Sequence, residues 1–204
     1  MASTPTKKTK DPNYTWMSYN IGDFIYGLSS YRKLIADFFR NKTNSATTID
    51  EFNNIQYYFD NNSTSETLLK SSKLSMYDAK RVSSYMQFIN SSETGKYYNI
   101  KELRVNDNEK WISRSCKAGI IFAHINKVRI HFLLDGIFID EVLDSKTKNY
   151  SSFTSIELRS IYKDSLGNQN FVPSTIVFYK YQCICLPPWI ENPQPWNEYR
   201  ATKM

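Results

Sequence analysis

Two histidines lie close together in the chain, in a stretch that also carries an arginine and a carboxylate. The chain has only two histidines, His124 and His131, with Arg129 between them and Asp135 just after. An imidazole titrates near neutral pH and a guanidinium can hold an anion, so this combination is typical of phosphodiester cleavage or proton transfer. The candidate catalytic residues are therefore His131, His124, Arg129 and Asp135.

Two β-rich runs would bring these side chains together. Gly119–Ile125 and Val128–Leu134 are separated by Asn126-Lys127 alone, and this spacing predicts a β-hairpin with a two-residue turn. Alternation along the paired strands would place both histidines on one face. The competing interpretation is that these are ordinary polar residues on the solvated face of an antiparallel sheet.

The cysteines do not form a recognisable metal or redox motif. Cys116, Cys183 and Cys185 lack zinc-site spacing relative to each other and to the histidines. Cys183 and Cys185 would lie on the same face of a strand, where they are badly placed to bridge each other, so a reducing compartment is the simpler interpretation. Nucleophilic catalysis by Cys116 stays open. We expect no metal and no cofactor.

Other carboxylates have ordinary explanations. The carboxylates Asp140, Glu141 and Asp144 could act in acid–base chemistry or bind a divalent ion, but a solvated first turn of a helix accounts for them as well. Glu157 follows Thr154 at capping-box spacing, which would use its carboxylate at a helix start.

The elements that position these residues indicate an α+β fold. Residues 1–13 are predicted to be a flexible polar tail, and residues 14–105 a helical region that includes an amphipathic helix over Asp23–Arg40. Capping signals at Thr48–Glu51, Ser63–Glu66 and Ser75–Asp78 predict further helices. Residues 106–204 are predicted to form an α+β module. The expected architecture is a helical N-terminal half packed with a small antiparallel-sheet-containing C-terminal module.

Composition excludes several classes of protein. The 204 residues include only 6 glycines, without a phosphate-binding loop motif, so the common nucleotide-binding folds are not expected. The net charge of +6 is spread thinly, with 14 basic and 10 acidic residues up to residue 105 and 12 and 10 after it. This distribution favours a solvated surface over a nucleic-acid stripe. No membrane span and no cleaved signal peptide are expected.

The C-terminal segment is rich in aromatic residues. Trp189, Trp196 and Tyr199 lie among prolines. Tyrosine and tryptophan are enriched in binding surfaces because they bury a large area at low entropic cost. The segment is therefore either an exposed docking surface or a strap that folds back over the core.

Four runs resemble a C-terminal module of uncharacterised bacterial secreted proteins of the effector or toxin kind. The runs are residues 128–137, 154–162, 177–179 and 187–189, and the resemblance covers residues 118–190. The resemblance implies a virulence protein that is secreted without a cleavable signal peptide and acts in the reducing cytosol of a target cell. The positions that match the module are His131, Asp135, Glu157, Arg159 and Trp189.

Three functions follow from these observations. The leading expectation is an effector or toxin that acts through protein–protein interaction, with binding residues Arg159, Trp189, Trp196 and Tyr199. The first alternative is a nuclease-like enzyme that uses His124, His131 and Arg129 on nucleic acid. The second is a non-enzymatic inhibitor or immunity-type module. If the chain is not secreted, a cytoplasmic location is expected.

Overall fold

The computed structural model describes residues 14–43, 84, 88 and 108–203. Residues 84 and 88 are helical, and the three predicted capping signals between Thr48 and Asp78 lie outside the described residues. The elements of the other two ranges are, in chain order, β1 (Phe24–Tyr26), α1 (Ser29–Thr43), α2 (Asn108–Ile125), β2 (Ile130–Leu133), α3 (Ile139–Leu143), a 3₁₀ helix (Lys148–Ser151), α4 (Phe153–Gly167), α5 (Phe171–Thr175), β3 (Ile176–Lys180), β4 (Cys183–Cys185), α6 (Pro188–Glu191) and α7 (Pro193–Lys203).

The four described strands form one mixed sheet, which confirms the α+β class. The strand order is β1-β2-β3-β4, with β1 and β3 parallel to β2 and β4 antiparallel to β3. Every residue of β1 and β2 is buried, as expected for parallel strands covered on both faces. None of the described helices is long and apolar enough to cross a lipid bilayer.

Helices cover both faces of this sheet. Alternate strand residues such as Phe24, Phe132 and Phe178 pack in one core cluster with α2, α4 and α7. The intervening residues, among them Leu133 and Tyr179, pack in a second cluster with α1 and the segment that precedes β1. The period of two along each strand thus assigns consecutive side chains to opposite layers.

The predicted hairpin between Gly119 and Leu134 is wrong, because its first run belongs to α2. A short run of continuous apolar residues fits a buried helix as well as a strand, so periodicity could not separate the two. Asn126-Lys127 ends the helix instead of joining strands. Lys127 has a φ of 55°, and the Val128 N–H donates to the Ala123 carbonyl, which is the left-handed helix end of a Schellman motif.

The predicted helix over Asp23–Arg40 is wrong at its start. Phe24–Tyr26 form β1, and α1 begins only at Ser29. The helical spacing of the apolar residues was present, but parallel pairing of Phe24 with Ile130 outweighed it for these three residues. β1 is the first strand in the sheet order, but helices cover both of its faces, so all three of its side chains are buried.

The last predicted strand, Thr175–Ile184, is in fact a β-hairpin. β3 and β4 are joined by Tyr181 and Gln182, which have φ values of 52° and 64°. Positive φ at both central residues is the type I′ geometry that usually takes Asn-Gly. Because neither residue favours that conformation, the sequence carried no turn signal.

Candidate binding surface

His131 lies on β2, where its side chain is fully buried. Its Nε2 is 2.8 Å from the Asp23 carboxylate and its Nδ1 is 2.9 Å from the Tyr179 hydroxyl. A carboxylate only accepts, so Nε2 donates, and in the neutral imidazole Nδ1 accepts from the tyrosine. Both ring nitrogens are thus occupied within the protein. The network joins the residue before β1 to β2 and β3.

The other predicted catalytic residues do not converge on His131. His124 lies in the last turn of α2, where its Nδ1 is 2.7 Å from the Thr175 hydroxyl and its ring packs against Phe171 in the α2–α4 layer. The His131 ring instead contacts Tyr19 and Tyr179 in the α1 layer. The two imidazoles therefore lie on different sides of the sheet, because their ring contacts belong to opposite core clusters.

Asp135 holds the tip of the β3–β4 hairpin. Its carboxylate accepts a hydrogen bond of 2.9 Å from the Tyr181 N–H. This hydrogen bond connects the strained turn residue Tyr181 to the loop after β2. Asp135 therefore stabilises the hairpin rather than taking part in catalysis.

Arg159, a predicted binding residue, is buried within the protein. Its guanidinium donates to the carbonyls of Val142 at 2.5 Å and Tyr150 at 2.7 Å, and it lies 3.7 Å from the centre of the Tyr150 ring. These contacts fasten α3 and the 3₁₀ helix to α4. Arg159 is therefore not available to a partner.

The aromatic C-terminal segment folds back over the core, as the second alternative for it predicted. Trp196 is fully buried, and its ring lies 4.8 Å from that of Tyr162 and 5.3 Å from that of Trp189. The Tyr162 hydroxyl also donates to the Trp196 carbonyl. Trp189 and Tyr199 are half-buried beside this contact. The segment is thus a strap whose tryptophan rings pack against the core, while Ile190 and its charged residues are exposed.

The surroundings of Glu157 differ from those that the sequence predicts. The N-cap of α4 is Ser152, whose hydroxyl accepts from the Ser155 N–H, so the predicted capping box of Thr154 with Glu157 does not form. Glu157 is fully buried, and neither carboxylate oxygen makes a well-formed hydrogen bond to a described residue, although the Cys116 thiol lies close enough to affect its pKa. The sequence feature that indicates this burial is the position of Glu157 one turn before Ile161, on the apolar side of the helix.

Burial dominates the chemistry of this carboxylate. Desolvation raises the pKa of Glu157 to about 7, and the nearby Arg32 charge and Cys116 thiol lower it only in part. Desolvation also raises the pKa of Cys116 well above its ordinary value. The Cys116 thiol is thus protonated at neutral pH, which does not favour it as a nucleophile.

A groove lies beside the β3–β4 hairpin. Its volume is about 820 Å³, and its lining comes from β3, β4, α5, α6 and the end of α4, together with Arg129 before β2 and Arg200 on α7. Three of its apolar residues are more than half exposed, with fractions of 67% for Ile184, 59% for Leu186 and 57% for Ile190. Tyr181 at the adjoining turn is 78% exposed. We call Tyr181, Ile184, Leu186 and Ile190 the hairpin surface.

The groove has charged groups at separate places. Arg129 and Arg200 both line it, and neither has an ion-pair partner among the described residues. At the β4 end, burial and the Glu191 carboxylate raise the pKa of Cys185 to about 11. The Cys185 thiol is therefore neutral at physiological pH. The groove can bind apolar and anionic groups, but it offers no activated nucleophile.

Metal binding has no support in the described ranges, which hold no cluster of three or more His, Cys, Asp or Glu side chains suited to an ion.

The chain matches no protein-family model, no curated protein and no solved structure.

Proposed function

We propose that this protein is an effector-type module that acts by binding a protein partner at the hairpin surface. The observation that carries the proposal is the set of exposed apolar side chains, Ile184, Leu186 and Ile190, on one open groove. Exposed apolar residues that are contiguous around a groove are typical of an interaction site, whereas scattered ones are not. The effector class itself is proposed on the resemblance of residues 118–190.

Binding is favoured over the nuclease alternative by the surroundings of the histidines. His131 is fully buried, with both ring nitrogens occupied by Asp23 and Tyr179. A general base must reach the proton that it removes, directly or through one water molecule. His124 is separated from His131 by the sheet, so the two do not form a reacting pair. No observation on the described residues favours nucleic-acid cleavage.

Photo-crosslinking tests the proposed surface. A photoreactive amino acid in place of Ile184 should give one major adduct in extracts of target cells, and the same group in place of the exposed Lys146 should give none. The Leu186→Ser and Ile190→Ser variants should each weaken that adduct while far-UV circular dichroism and the melting temperature stay unchanged. Equal adducts at both positions, or none at either, would reject the hairpin surface as a binding site.

The source of the partner separates an effector from an inhibitor or immunity-type module. An effector should capture a protein of the target cell, and an immunity-type module a toxin from its own cell. The captured protein, once purified, should form a stoichiometric complex with this chain in size-exclusion chromatography. Failure to form such a complex would show that the adduct is non-specific.

A further inference from the structure

We infer that the groove binds an extended acidic segment of the partner, which adds as a strand to the edge of β4 that no described strand covers and pairs its carboxylates with Arg129 and Arg200. This inference rests on the proposed function and specifies the chemistry of its partner. Three independent features of the groove support it, namely a strand edge that no described strand covers, an apolar lining, and two guanidinium groups without an ion-pair partner in the described ranges.

The open edge follows from the hairpin register. Lys180 pairs with Cys183 across a two-residue turn, so the next pair, Tyr179 with Ile184, is a non-hydrogen-bonded one. The N–H and C=O of Ile184 therefore point away from β3. Among the described residues, no other backbone hydrogen bond reaches them. An extended peptide can satisfy both groups by adding a strand.

The apolar lining explains where alternate side chains of such a peptide would lie. In an added strand, every second side chain faces the same way and can enter the groove next to Ile184, Leu186 and Trp189. The volume of about 820 Å³ accommodates several apolar side chains. A fatty acid would fill the same space, but it would leave the edge of β4 unpaired.

The charged side chains of the groove determine which charge the bound segment should carry and where its charged residues should lie. Arg129 and Arg200 have no acidic partner among the described residues, and guanidinium groups bind carboxylates in a bidentate manner. Asp135 and Glu191 lie near Cys185 at the β4 end, where they raise its pKa. The acidic residues of the segment should thus meet the arginines, and its apolar residues should lie over β4.

Fluorescence anisotropy with labelled peptides tests the inference. The probe is a short peptide in which valine alternates with glutamate, and the matched peptide has lysine in place of glutamate. We expect the glutamate peptide to bind about tenfold more tightly or better, with affinity that falls as salt rises. The Arg129→Gln/Arg200→Gln double variant should remove most of this difference, and the exposed pair Lys146→Gln/Lys148→Gln should not.

A third peptide tests strand addition. N-methylation of the glutamate peptide at alternate backbone positions removes the donors that an added strand needs, and should weaken binding about tenfold or more. Equal binding of the methylated peptide, equal binding of the lysine peptide, or an unchanged affinity in the arginine double variant would each overturn the inference. Displacement of the peptide by decanoate at lower concentration would instead indicate a lipid-binding groove.

Two further outcomes separate this inference from the proposed function. If the Ile184 adduct forms equally in the arginine double variant, the hairpin surface binds a partner but not through an acidic segment. If the chain forms a dimer that Ile184→Ser dissociates in analytical ultracentrifugation, a second copy occupies the edge, and the inferred acidic partner is wrong.

Discussion

The network around His131 contains an imidazole, a carboxylate and a phenol, a set of groups that also occurs in active sites. Here Asp23 and Tyr179 use both ring nitrogens, and the side chain of His131 has no exposed surface. A buried polar network of this kind specifies how strands pair, because a shift in register would leave its donors and acceptors unsatisfied. Its role in this protein is structural.

The Tyr179→Phe substitution measures how much this network contributes to the free energy of unfolding. It removes the hydroxyl that lies 2.9 Å from His131 Nδ1 and leaves that nitrogen buried without a partner. We expect the free energy of unfolding to fall by about 1–3 kcal/mol in urea denaturation. Tyr181→Phe is the matched control and should change nothing, because Tyr181 is exposed. An equal effect of the two substitutions would contradict a role for the network.

Glu157 should make stability depend on pH. Its folded pKa of about 7 is raised from 4.5, so between these values the folded protein holds a proton that the unfolded chain releases. Its contribution is therefore complete below the unfolded pKa and is lost as pH rises to about 7. At about 1.4 kcal/mol per pH unit, the loss is about 3 kcal/mol.

The Glu157→Gln variant isolates this effect. Relative to the wild type, its free energy of unfolding should rise as pH increases from about 5 to about 8, because the amide carries no charge to bury. Urea denaturation at both pH values measures the difference. Glu198→Gln, an exposed change on α7, should follow the wild type at both. A variant with the same pH dependence as the wild type would show that Glu157 does not titrate in this range.

At the scale of elements, the β3–β4 hairpin combines strain with exposure. Tyr181 and Gln182 both have positive φ, which side-chain-bearing residues adopt at a cost. The Asp135 carboxylate offsets part of this cost by accepting from the Tyr181 N–H. The chain thereby presents the hairpin surface on a short, sharply turned element whose outer edge is not paired with any described strand.

The Gln182→Gly variant tests this strain. Glycine adopts positive φ without steric cost, so the free energy of unfolding should rise by about 1 kcal/mol. Lys163→Gly, at an exposed position within α4, should lower it by about the same amount because it weakens a helix. Thermal and urea unfolding report both changes. A loss of stability in Gln182→Gly would mean that the turn does not have type I′ geometry.

At the scale of the whole molecule, the sheet joins segments that are distant in sequence. β1 precedes α1, yet it pairs in parallel with β2 more than a hundred residues later in the chain. β1 and β2 approach each other closely at Gly27, which follows β1 and has a φ of 132°. A Cβ atom there would lie 2.8 Å from the Leu133 carbonyl oxygen. Glycine is thus needed where the end of β1 meets β2.

The Gly27→Ala substitution should loosen this junction. Backbone strain and the clash with Leu133 together should lower the free energy of unfolding by about 2 kcal/mol or more, measured by urea denaturation. Gly167→Ala is the matched control, since a Cβ at Gly167 would meet nothing within 4 Å. It should leave stability unchanged or slightly higher. Equal stabilities for the two variants would show that β1 does not approach β2 as described.

The sequence by itself determined the α+β class, because apolar periodicity and the β-rich runs are local properties. The capping-box spacing at Thr154 also predicted a helix start close to where α4 begins. The apolar patterns failed at Phe24–Tyr26, where all three side chains are buried, and at Gly119–Ile125, where a nearly continuous apolar run fits a helix as well as a strand. Local pattern also suggested a capping role for Glu157, which belongs to the core instead.

Only the tertiary structure decided which side chains meet. His131 is joined to Asp23 and Tyr179 across three segments of the chain, whereas the sequence placed it beside His124. The groove likewise needs β3, β4 and the C-terminal strap to come together. Such contacts depend on the pairing of distant strands, and the hydrophobic pattern within one segment does not contain that information.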